Sequence, residues 1–371
     1  MLRIIELFAG IGSQTESLKE IGIEHKVVAI SEYDKYSSKA YELLHGAVNN
    51  LGDIRNIEEL PEADLWTYSF PCTDISLAGA QKGFNKGSNT QSSLIWEVER
   101  LLNRAKASDT LPSILLMENV KALVSKKFIQ EFGTWLKYLE SLGYVNKYQV
   151  LNAKDYNTPQ NRERVFLFSF KSVSDYHFPQ KQELLLKLGD LLEEKVDDKY
   201  FITIDRINNF NDMTNRNGFI RGLTFKPHEI TSPFAYTITT RSGARSTDNF
   251  IIVPENTIRG FKEAEVGDGI YINRPHQKRG VVQKNKIQTL KTSVNDLGVV
   301  VNKDDLISIR KITPREAWRL MCWKDERIDL VINEFSDAQL YKMAGNGIVI
   351  NVLKALFEKL EIGVVGNENR L

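Results

Sequence analysis

The amino-acid sequence predicts an α/β protein in which a doubly wound sheet flanked by helices is joined to a second, smaller β-rich domain. Short apolar runs alternate with amphipathic stretches through the first 170 residues, as they do in such sheets. Threonine, isoleucine, valine and phenylalanine, broken by glycine, asparagine and proline, dominate residues 185–305, which is typical of short strands and turns. Helical spacing of apolar residues returns after residue 310.

The elements of the first unit follow from the length and spacing of its apolar runs. Helices are predicted over residues 92–103 and 127–142, and the second should end at Gly143, because glycine readily takes the left-handed backbone that stops a helix. Strands are predicted over residues 4–8, 27–30, 65–70, 114–117, 148–151 and 165–170.

The end of the chain should return to the first unit. Residues 348–360 carry one apolar helical face, and we expect this helix to pack back on the first sheet. The first domain is then discontinuous, with residues 1–184 plus 310–371, and residues 185–309 form the second domain.

Composition limits the location of the protein more than its function. No apolar run in the 371 residues approaches the roughly 20 that a membrane span needs. The first residues lack a basic region followed by an apolar signal core, and two cysteines fit a reducing compartment, so we expect a cytoplasmic protein. No cysteine and histidine cluster has metal-site spacing, so no metal is expected.

Charge is informative in its distribution. The net charge is only +1, yet residues 271–295 contain six Lys or Arg and no Asp or Glu. Such a basic stripe suits contacts with nucleic-acid phosphates, and a solvated basic face is the alternative.

Cys72 lies just beyond the predicted strand 65–70, because Pro71 cannot donate to a sheet ladder and so ends the strand. The carboxyl ends of strands are where open α/β sheets collect ligands and reactive groups. A lone cysteine is more often a buried, inert side chain. The choice between these interpretations depends on which other groups reach the same edge.

Three further side chains reach that edge. Glu118 ends the apolar run that begins at residue 114, while Arg162 and Arg164 precede strand 165–170. A thiol, a carboxyl and paired arginines at strand ends suit nucleophilic attack on an electron-poor ring. The alternatives are a structural carboxylate at Glu118 and arginines held in salt bridges with Glu163 or another acid.

A glycine-rich turn follows the first strand. Gly10 and Gly12 would let the backbone approach a ligand closely before a helical stretch begins. Glu32 follows Gly12 by 20 residues, at the position of a carboxylate that binds ribose hydroxyls. Thr15 stands where the last glycine of a dinucleotide fingerprint would be, which disfavours an NAD site.

Together these motifs resemble the DNA (cytosine-5)-methyltransferase family of prokaryotes and phages. The resemblance covers residues 4–170 and 310–353, with its motifs in the family's order. It is carried by Phe8-Ala9-Gly10-Ile11-Gly12, Phe70-Pro71-Cys72, Glu118-Asn119-Val120, Gln160/Arg162/Arg164, Thr313-Pro314-Arg315-Glu316 and Gly345-Asn346-Gly347. The sequence departs from the family at Ser13, where glycine is more usual, and at Gly347, where serine is usual.

The resemblance implies a Rossmann-like, S-adenosylmethionine-dependent methyltransferase sheet and a β-rich target-recognition domain. It implies S-adenosyl-L-methionine as cofactor, S-adenosyl-L-homocysteine as product and no metal. The implied cofactor-binding residues are Phe8, Gly10, Ile11, Gly12, Glu32, Tyr33, Asp53, Ile54, Pro71, Leu94, Asn346 and Ile348.

The catalytic residues that we expect are Cys72, Glu118, Arg162 and Arg164. A thiolate adding to carbon 6 of cytosine makes carbon 5 nucleophilic, and a protonated or shared Glu118 would stabilise the charge on the ring. Because a free cysteine has a pKa of about 8.5, we expect the arginines or a positive cofactor to lower it.

The target base must leave the duplex before the thiol can reach it. Residues 78–87 contain glycine hinges and lysines, and we expect a mobile loop that closes over DNA. The expected DNA-binding residues are Gln81, Lys82, Arg274, Gln277, Lys278, Arg279, Lys284, Lys286 and Thr289. Thr289 belongs to a Thr-Leu dipeptide that recurs in the family's recognition domain, and residues 241–245 are the alternative reading surface.

The favoured function is DNA cytosine-5 methylation by a restriction-modification, solitary or phage enzyme. Duplex DNA is the expected partner, with a cognate restriction endonuclease as a second, and the chain is expected to be a monomer without membrane association. A tRNA cytosine-5 methyltransferase of the same fold, a catalytically silent DNA-binding module and an NAD-dependent oxidoreductase are the alternatives.

Overall fold

The computed structural model describes most of the chain. The described residues are 1–72, 74–75, 91–172, 175–201, 224–226, 250–254, 261–272, 280–292, 296–303 and 306–360. The expected mobile loop at residues 78–87 and the alternative reading surface at residues 241–245 lie outside these ranges.

A six-stranded mixed sheet forms the centre, with strand order β2-β1-β3-β4-β7-β5. The first four of these strands in that order run parallel, whereas β7 is antiparallel to both β4 and β5. Because the carboxyl ends of the four parallel strands meet at one edge, the residues that follow them are brought together. The strands of this half of the chain are β1 Leu2–Leu7, β2 His25–Ser31, β3 Leu65–Tyr68, β4 Ile114–Val120, β5 Val145–Asn152, β6 Gln160–Asn161 and β7 Glu163–Phe170.

Helices cover both faces of the sheet. On one face the side chains of Trp66, Trp135 and Leu101 are buried in a core formed with α3 and α4. On the other face, Phe168 and Leu356 belong to a second core that includes the C-terminal helices. The helices before residue 150 are α1 Ser13–Glu20, α2 Lys35–His45, α3 Ile95–Ala107 and α4 Ile129–Ser141.

The C-terminal helices pack back on the central sheet. They are α5 Pro314–Arg319, α6 Asp325–Ile328, α7 Asp337–Asn346 and α8 Ile350–Phe357. Helix α8 lies against α1, where Lys354 Nζ contacts Glu20 Oε2 at 2.9 Å. Thr313 and Glu316 form a reciprocal capping box that begins α5.

The described part of the region between residues 201 and 310 is built from short strands. These are β8 Thr224–Lys226, β9 Phe250–Pro254, β10 Phe261–Ala264, β11 Gly269–Tyr271, β12 Val282–Gln283, β13 Ile287–Gln288, β14 Leu297–Lys303 and β15 Leu306–Arg310. They form a three-stranded and a four-stranded sheet, while β13 pairs in parallel with β6. A bridge between Phe201 and Arg310 brings the two ends of this region together.

The predicted fold class is confirmed: a central sheet flanked by helices is joined to a smaller β-rich part. Every predicted strand of the first unit exists, and Gly143 ends α4 with φ +88°. The helix predicted to begin at residue 92 starts as a 3-10 turn, Gln91–Leu94, before α3. Within the described residues, no helix is both long and apolar enough to span a bilayer.

Candidate active site

The turn after β1 has the backbone of a ligand-binding loop. Phe8, Gly10 and Gly12 all have φ between +57° and +76°. A side chain on Gly12 would place its Cβ 2.5 Å from His45 Nε2, so only glycine fits between the loop and α2. A Cβ on Gly10 would meet no atom within 4 Å, so this side of the loop has room for a ligand.

Glu32 stands beside this loop, just after β2. Its Oε2 accepts a hydrogen bond from the Gly10 amide at 2.8 Å, and its Oε1 accepts one from the Asp34 amide at 2.7 Å. Each carboxylate oxygen keeps an acceptor site, because a carboxylate has about four lone-pair sites. Burial raises the pKa of Glu32, although both amide hydrogen bonds oppose this rise. Glu32 can therefore accept hydroxyl hydrogens while it holds the loop.

The remaining residues expected to bind cofactor differ in exposure. The Tyr33 side chain is 71% exposed, whereas Ile11, Ile54 and Ile348 are buried. Pro71 and Leu94 are half-buried, and Asn346 is exposed at the end of α7.

Two ion pairs lie at this edge of the sheet. Lys342 Nζ lies 2.5 Å from Asp34 Oδ2, which brings α7 to the end of β2. Asp53 caps the turn Ile54–Asn56 and pairs with Arg55 at 2.5 Å, which is why the pKa of the Asp53 carboxyl lies below its usual range. The Asp53 carboxylate is thus already engaged by a protein cation.

Cys72 lies in a turn beyond β3, and its residue is half-buried. Its carbonyl accepts a hydrogen bond from the Ile75 amide at 3.0 Å. Asn119, which is buried in β4, donates from Nδ2 to the Phe70 carbonyl at 3.0 Å. The turn that carries the thiol is thus attached to the neighbouring strand.

Glu118 and Arg164 form an ion pair at the same edge. Glu118 is buried near the end of β4, and Arg164 Nε lies 3.1 Å from its Oε1. Val120 and Arg164 are register partners in the antiparallel β4–β7 pair, which explains how the arginine reaches the carboxylate. Cys72, Glu118 and Arg164 are called the strand-end cluster below.

Burial raises the pKa values of both reactive groups in the strand-end cluster. For the Cys72 thiol, burial outweighs the opposing effects of Arg164 and Arg162, so its pKa lies above the ordinary value. The two arginines act in the expected direction and lower the thiol pKa, but they do not offset burial and the nearby Glu118 carboxyl. Burial likewise raises the pKa of Glu118, which favours a protonated carboxyl despite Arg164.

Arg162 has a different environment from Arg164. Its guanidinium donates to the carbonyls of Leu290, Gly345 and Gly347 at 2.8–3.0 Å. Burial and the neighbouring Arg164 charge lower the pKa of Arg162 to about 9. These contacts give it a role in holding chain segments together.

The segments that Arg162 joins are called the junction: residues 160–162, 287–292 and 345–347. The Gln160 amide side chain donates to the Leu320 carbonyl and accepts from the Leu290 amide. A Cβ on Gly345 would lie 2.2 Å from the Lys291 carbonyl oxygen, so the two backbones touch. The β-rich part is therefore attached directly to residues next to the strand-end cluster.

The residues expected to bind DNA are only partly described. Gln81, Lys82, Arg274, Gln277, Lys278 and Arg279 lie outside the described residues. Thr289 lies in the junction, where its hydroxyl donates to the Asn161 carbonyl at 2.6 Å. Lys286 is half-buried, with Nζ 3.3 Å from the Lys284 carbonyl.

The basic stripe carries less free charge than its sequence indicates. Lys284 Nζ lies 2.9 Å from Asp268 and 3.4 Å from Glu265, and these pairs raise the pKa of Lys284. Lys291 Nζ pairs with Asp296 at 2.9 Å. These three acids, Glu265, Asp268 and Asp296, lie just outside residues 271–295 in sequence, but the fold places them beside the lysines of the stripe. Counting charges along the sequence therefore overstated the positive surface.

The contacts of two buried polar residues, Glu6 and Ser92, were not predicted from the sequence. Glu6 lies inside β1 and accepts hydrogen bonds from the Thr15 amide and hydroxyl, both at 2.9 Å. A charged residue within an apolar strand was the available signal. Ser92 contacts the Cys72 turn, and no feature of its sequence surroundings indicates this. No group of three or more potential metal ligands occurs in the described part of the chain.

The central sheet, the glycine loop and the strand-end cluster are arranged as the resemblance to cytosine-5 methyltransferases implies. The profile of the C-5 cytosine-specific DNA methylase family matches residues 2–361, so the chain belongs to that family. This confirms the family predicted from the motifs.

Among curated relatives, the Type II methyltransferase M2.ScrFI of Lactococcus lactis subsp. cremoris is 31% identical. That alignment covers 97% of this chain and 99% of the relative. The Type II methyltransferase M.Bsp6I of Bacillus sp. (strain RFL6) is 30% identical, over 97% and 98% of the two chains. The chain is therefore similar to type II methyltransferases over nearly its whole length.

Solved structures agree on the fold. The S. pombe Dnmt2 methyltransferase superposes with a TM-score of 0.60 at 18% identity, covering 96% of this chain and 97% of that one. A putative DNA modification methyltransferase encoded within an E. coli prophage also gives 0.60, at 17% identity, with 97% and 98% covered.

Proposed function

We propose that this protein is an S-adenosylmethionine-dependent DNA (cytosine-5-)-methyltransferase that acts through a covalent Cys72 adduct. The observation that carries the proposal is the strand-end cluster, in which a thiol, a protonatable carboxyl and an arginine share one sheet edge with a glycine loop. The description of the matching family, C-5 cytosine-specific DNA methylase, supports DNA as the substrate.

The loop after β1 and Glu32 fit the proposed cofactor. The open side of Gly10 leaves room for the ligand, and Glu32 keeps acceptor sites for ribose hydroxyls. Phe8, Gly12 and Asn346 would complete the binding edge. When bound, S-adenosyl-L-methionine supplies an electrophilic methyl group and a positive charge.

Cys72 is the proposed nucleophile. Its Sγ forms a bond to carbon 6 of the target cytosine, which raises electron density at carbon 5. Glu118 donates or shares a proton at the ring nitrogen, and Arg164 holds the carboxyl in place at 3.1 Å. After carbon 5 is methylated, a base removes its proton and the bond from Sγ to carbon 6 breaks.

The raised thiol pKa has a consequence for this step. Cys72 is mostly a neutral thiol in the free protein at neutral pH, because burial opposes the thiolate. A positively charged ligand beside it would favour the thiolate. We therefore propose that the nucleophile becomes fully reactive only in the complex with cofactor and DNA.

Target choice is proposed to belong to residues 185–309, and chemistry to residues 1–184 plus 310–371. The bridge between Phe201 and Arg310 supports this division, because the chain leaves and re-enters the first domain at one place. Within the described stripe, Lys286 is a stronger candidate for a phosphate contact than Lys284, which already has two acidic partners. Both cysteines are free thiols, which fits a reducing cytoplasm.

A labelling experiment tests the proposed activity. The protein is incubated with S-adenosylmethionine labelled in its methyl group and, separately, with mixed-sequence duplex DNA and with tRNA. We expect label in 5-methylcytosine of the DNA only. Label in tRNA would favour the RNA enzyme of the same fold, and label in neither would favour a silent DNA-binding module.

A further inference from the structure

Ser92 connects two parts of the chain that flank Cys72. It lies in the 3-10 turn Gln91–Leu94 that precedes α3, and its side chain is fully buried. Its hydroxyl donates to the Pro71 carbonyl at 2.7 Å and accepts from the Asp74 amide at 3.2 Å. Its own amide donates to Asp74 Oδ2 at 3.2 Å.

These contacts are not an ordinary helix cap. A capping hydroxyl accepts from an amide two or three residues later in its own helix. The Ser92 hydroxyl instead bonds residues 18 and 21 positions earlier. Its partners stand one residue before and two residues after Cys72, so a single serine brackets the nucleophile.

The Ser92 hydrogen bonds are part of a set that fixes the backbone of residues 70–72. Three consecutive carbonyls, those of Phe70, Pro71 and Cys72, each accept a hydrogen bond, from Asn119, Ser92 and Ile75 respectively. Asn119 follows the residue that carries the carboxylate of the strand-end cluster. Backbone position therefore places the thiol relative to Glu118.

The chemistry of the position favours serine. Only a hydroxyl donates to one backbone group while accepting from another at the same atom. Removing it would leave the Pro71 carbonyl and the Asp74 amide without these partners, and the Cys72 turn would be free to shift. A misplacement of about 1 Å can slow a reaction by roughly 100-fold.

We propose that Ser92 is a positioning residue that holds the Cys72 thiol in line for attack on the target base. The proposal rests on the proposed function, because it requires Cys72 to attack cytosine. The Ser92 hydroxyl bonds the backbone on both sides of Cys72, so it acts through the turn and leaves the ionisation of the thiol unchanged.

The test measures covalent adduct formation. The probe is a pool of random-sequence duplexes made with 5-fluorocytosine, with saturating S-adenosylmethionine and protein in excess. Fluorine at carbon 5 cannot be eliminated, so the adduct survives denaturation. The single-turnover rate is measured from pH 6 to 9 for the wild type, Ser92→Ala, Ser92→Thr and the control Ser169→Ala. Ser169 is also fully buried, and its hydroxyl donates one hydrogen bond to Asn146, away from the Cys72 turn. The Ser169→Ala substitution removes this bond.

For Ser92→Ala we expect a plateau rate about 10- to 100-fold below wild type, as a misplaced nucleophile would give. The midpoint of the pH profile and the cofactor Kd should remain at the wild-type values, and Ser92→Thr should recover most of the rate. Ser169→Ala should react at the wild-type rate.

Two results would overturn the positioning role. One is a Ser92→Ala rate within twofold of wild type, and the other is a loss that only tracks the unfolded fraction and is matched by Ser169→Ala. A wild-type protein that forms no adduct would instead refute the proposed function, so the two failures are distinguishable.

Discussion

Arg162 and Arg164 stand two positions apart but belong to differently built regions. In the strand-end cluster, Arg164 faces a carboxylate, and the pair lies beside a thiol. In the junction, Arg162 instead donates hydrogen bonds to three backbone carbonyls. One short motif therefore supplies two different groups. Arg164 provides a charge beside the Glu118 carboxyl, and Arg162 joins the β-rich part to the residues next to the sheet.

The largest effect should follow removal of the carboxyl from the strand-end cluster. Glu118→Gln keeps an acceptor oxygen for Arg164 but cannot exchange a proton with the base. We expect methyl transfer to slow by about 10²–10⁴-fold, the usual contribution of general acid–base catalysis. Single-turnover transfer with labelled cofactor measures this, while calorimetry of cofactor binding serves as the control. Unchanged turnover would make the carboxyl structural.

Matched substitutions test the contrast between the two arginines. Arg162→Lys cannot reach all three carbonyls from a single nitrogen, and each buried carbonyl left unpaired costs about 1–3 kcal/mol. We therefore expect Arg162→Lys to lower the free energy of unfolding by at least about 1 kcal/mol. Arg164→Lys keeps a cation near Glu118 and should affect methyl transfer more than stability. Urea denaturation and single-turnover assays on both variants decide, and equal stability losses would remove the distinction.

Glu6 extends the comparison to a buried carboxyl that accepts hydrogen bonds from the Thr15 amide and hydroxyl. Hydroxyl and amide donors offset burial only in part, so the pKa of Glu6 rises from 4.5 to about 7. Between these pH values the unfolded chain releases a proton that the folded chain keeps. The stability that protonated Glu6 gives to the folded protein is thus complete below pH 4.5 and is lost as the pH rises through about 7.

Glu6→Gln should remove this pH dependence, because the amide keeps an acceptor for Thr15 and does not titrate. The difference in unfolding free energy between wild type and variant should change by about 3 kcal/mol between pH 4.5 and 7.5, in favour of the variant at the higher pH. Denaturant melts at a series of pH values measure it. Glu24→Gln, on the surface, is the control, and parallel pH profiles for wild type and Glu6→Gln would show that burial does not perturb Glu6.

The parts that the sequence could predict are those set by local order along the chain. Cys72 and Glu118 follow or end strands, and strand length together with parallel pairing fixes the edge that they reach. The bracket of Ser92 could not be predicted, because it depends on which distant turn meets the Cys72 backbone. The pairing of Lys284 was missed for the same reason, since its acids lie in a different strand connection.

The net shift of the Cys72 pKa, which depends on opposing effects of burial and charge, also could not be predicted from the sequence. Arginines near Cys72 were visible as a motif, but the depth of burial that outweighs them is a property of packing. Likewise, Arg162 and Arg164 have identical side chains, and only tertiary structure gives one a carboxylate and the other three carbonyls.

The covalent step at the strand-end cluster is the central claim, and adduct formation tests it most directly. Wild type and Cys72→Ser are incubated with the pool of 5-fluorocytosine duplexes and S-adenosylmethionine, then denatured and separated by electrophoresis. Only the wild type should migrate as a protein–DNA adduct, and peptide mapping should place the bond at Cys72, while both proteins keep the same melting temperature. An adduct with Cys72→Ser, or one mapped to another residue, would contradict the account.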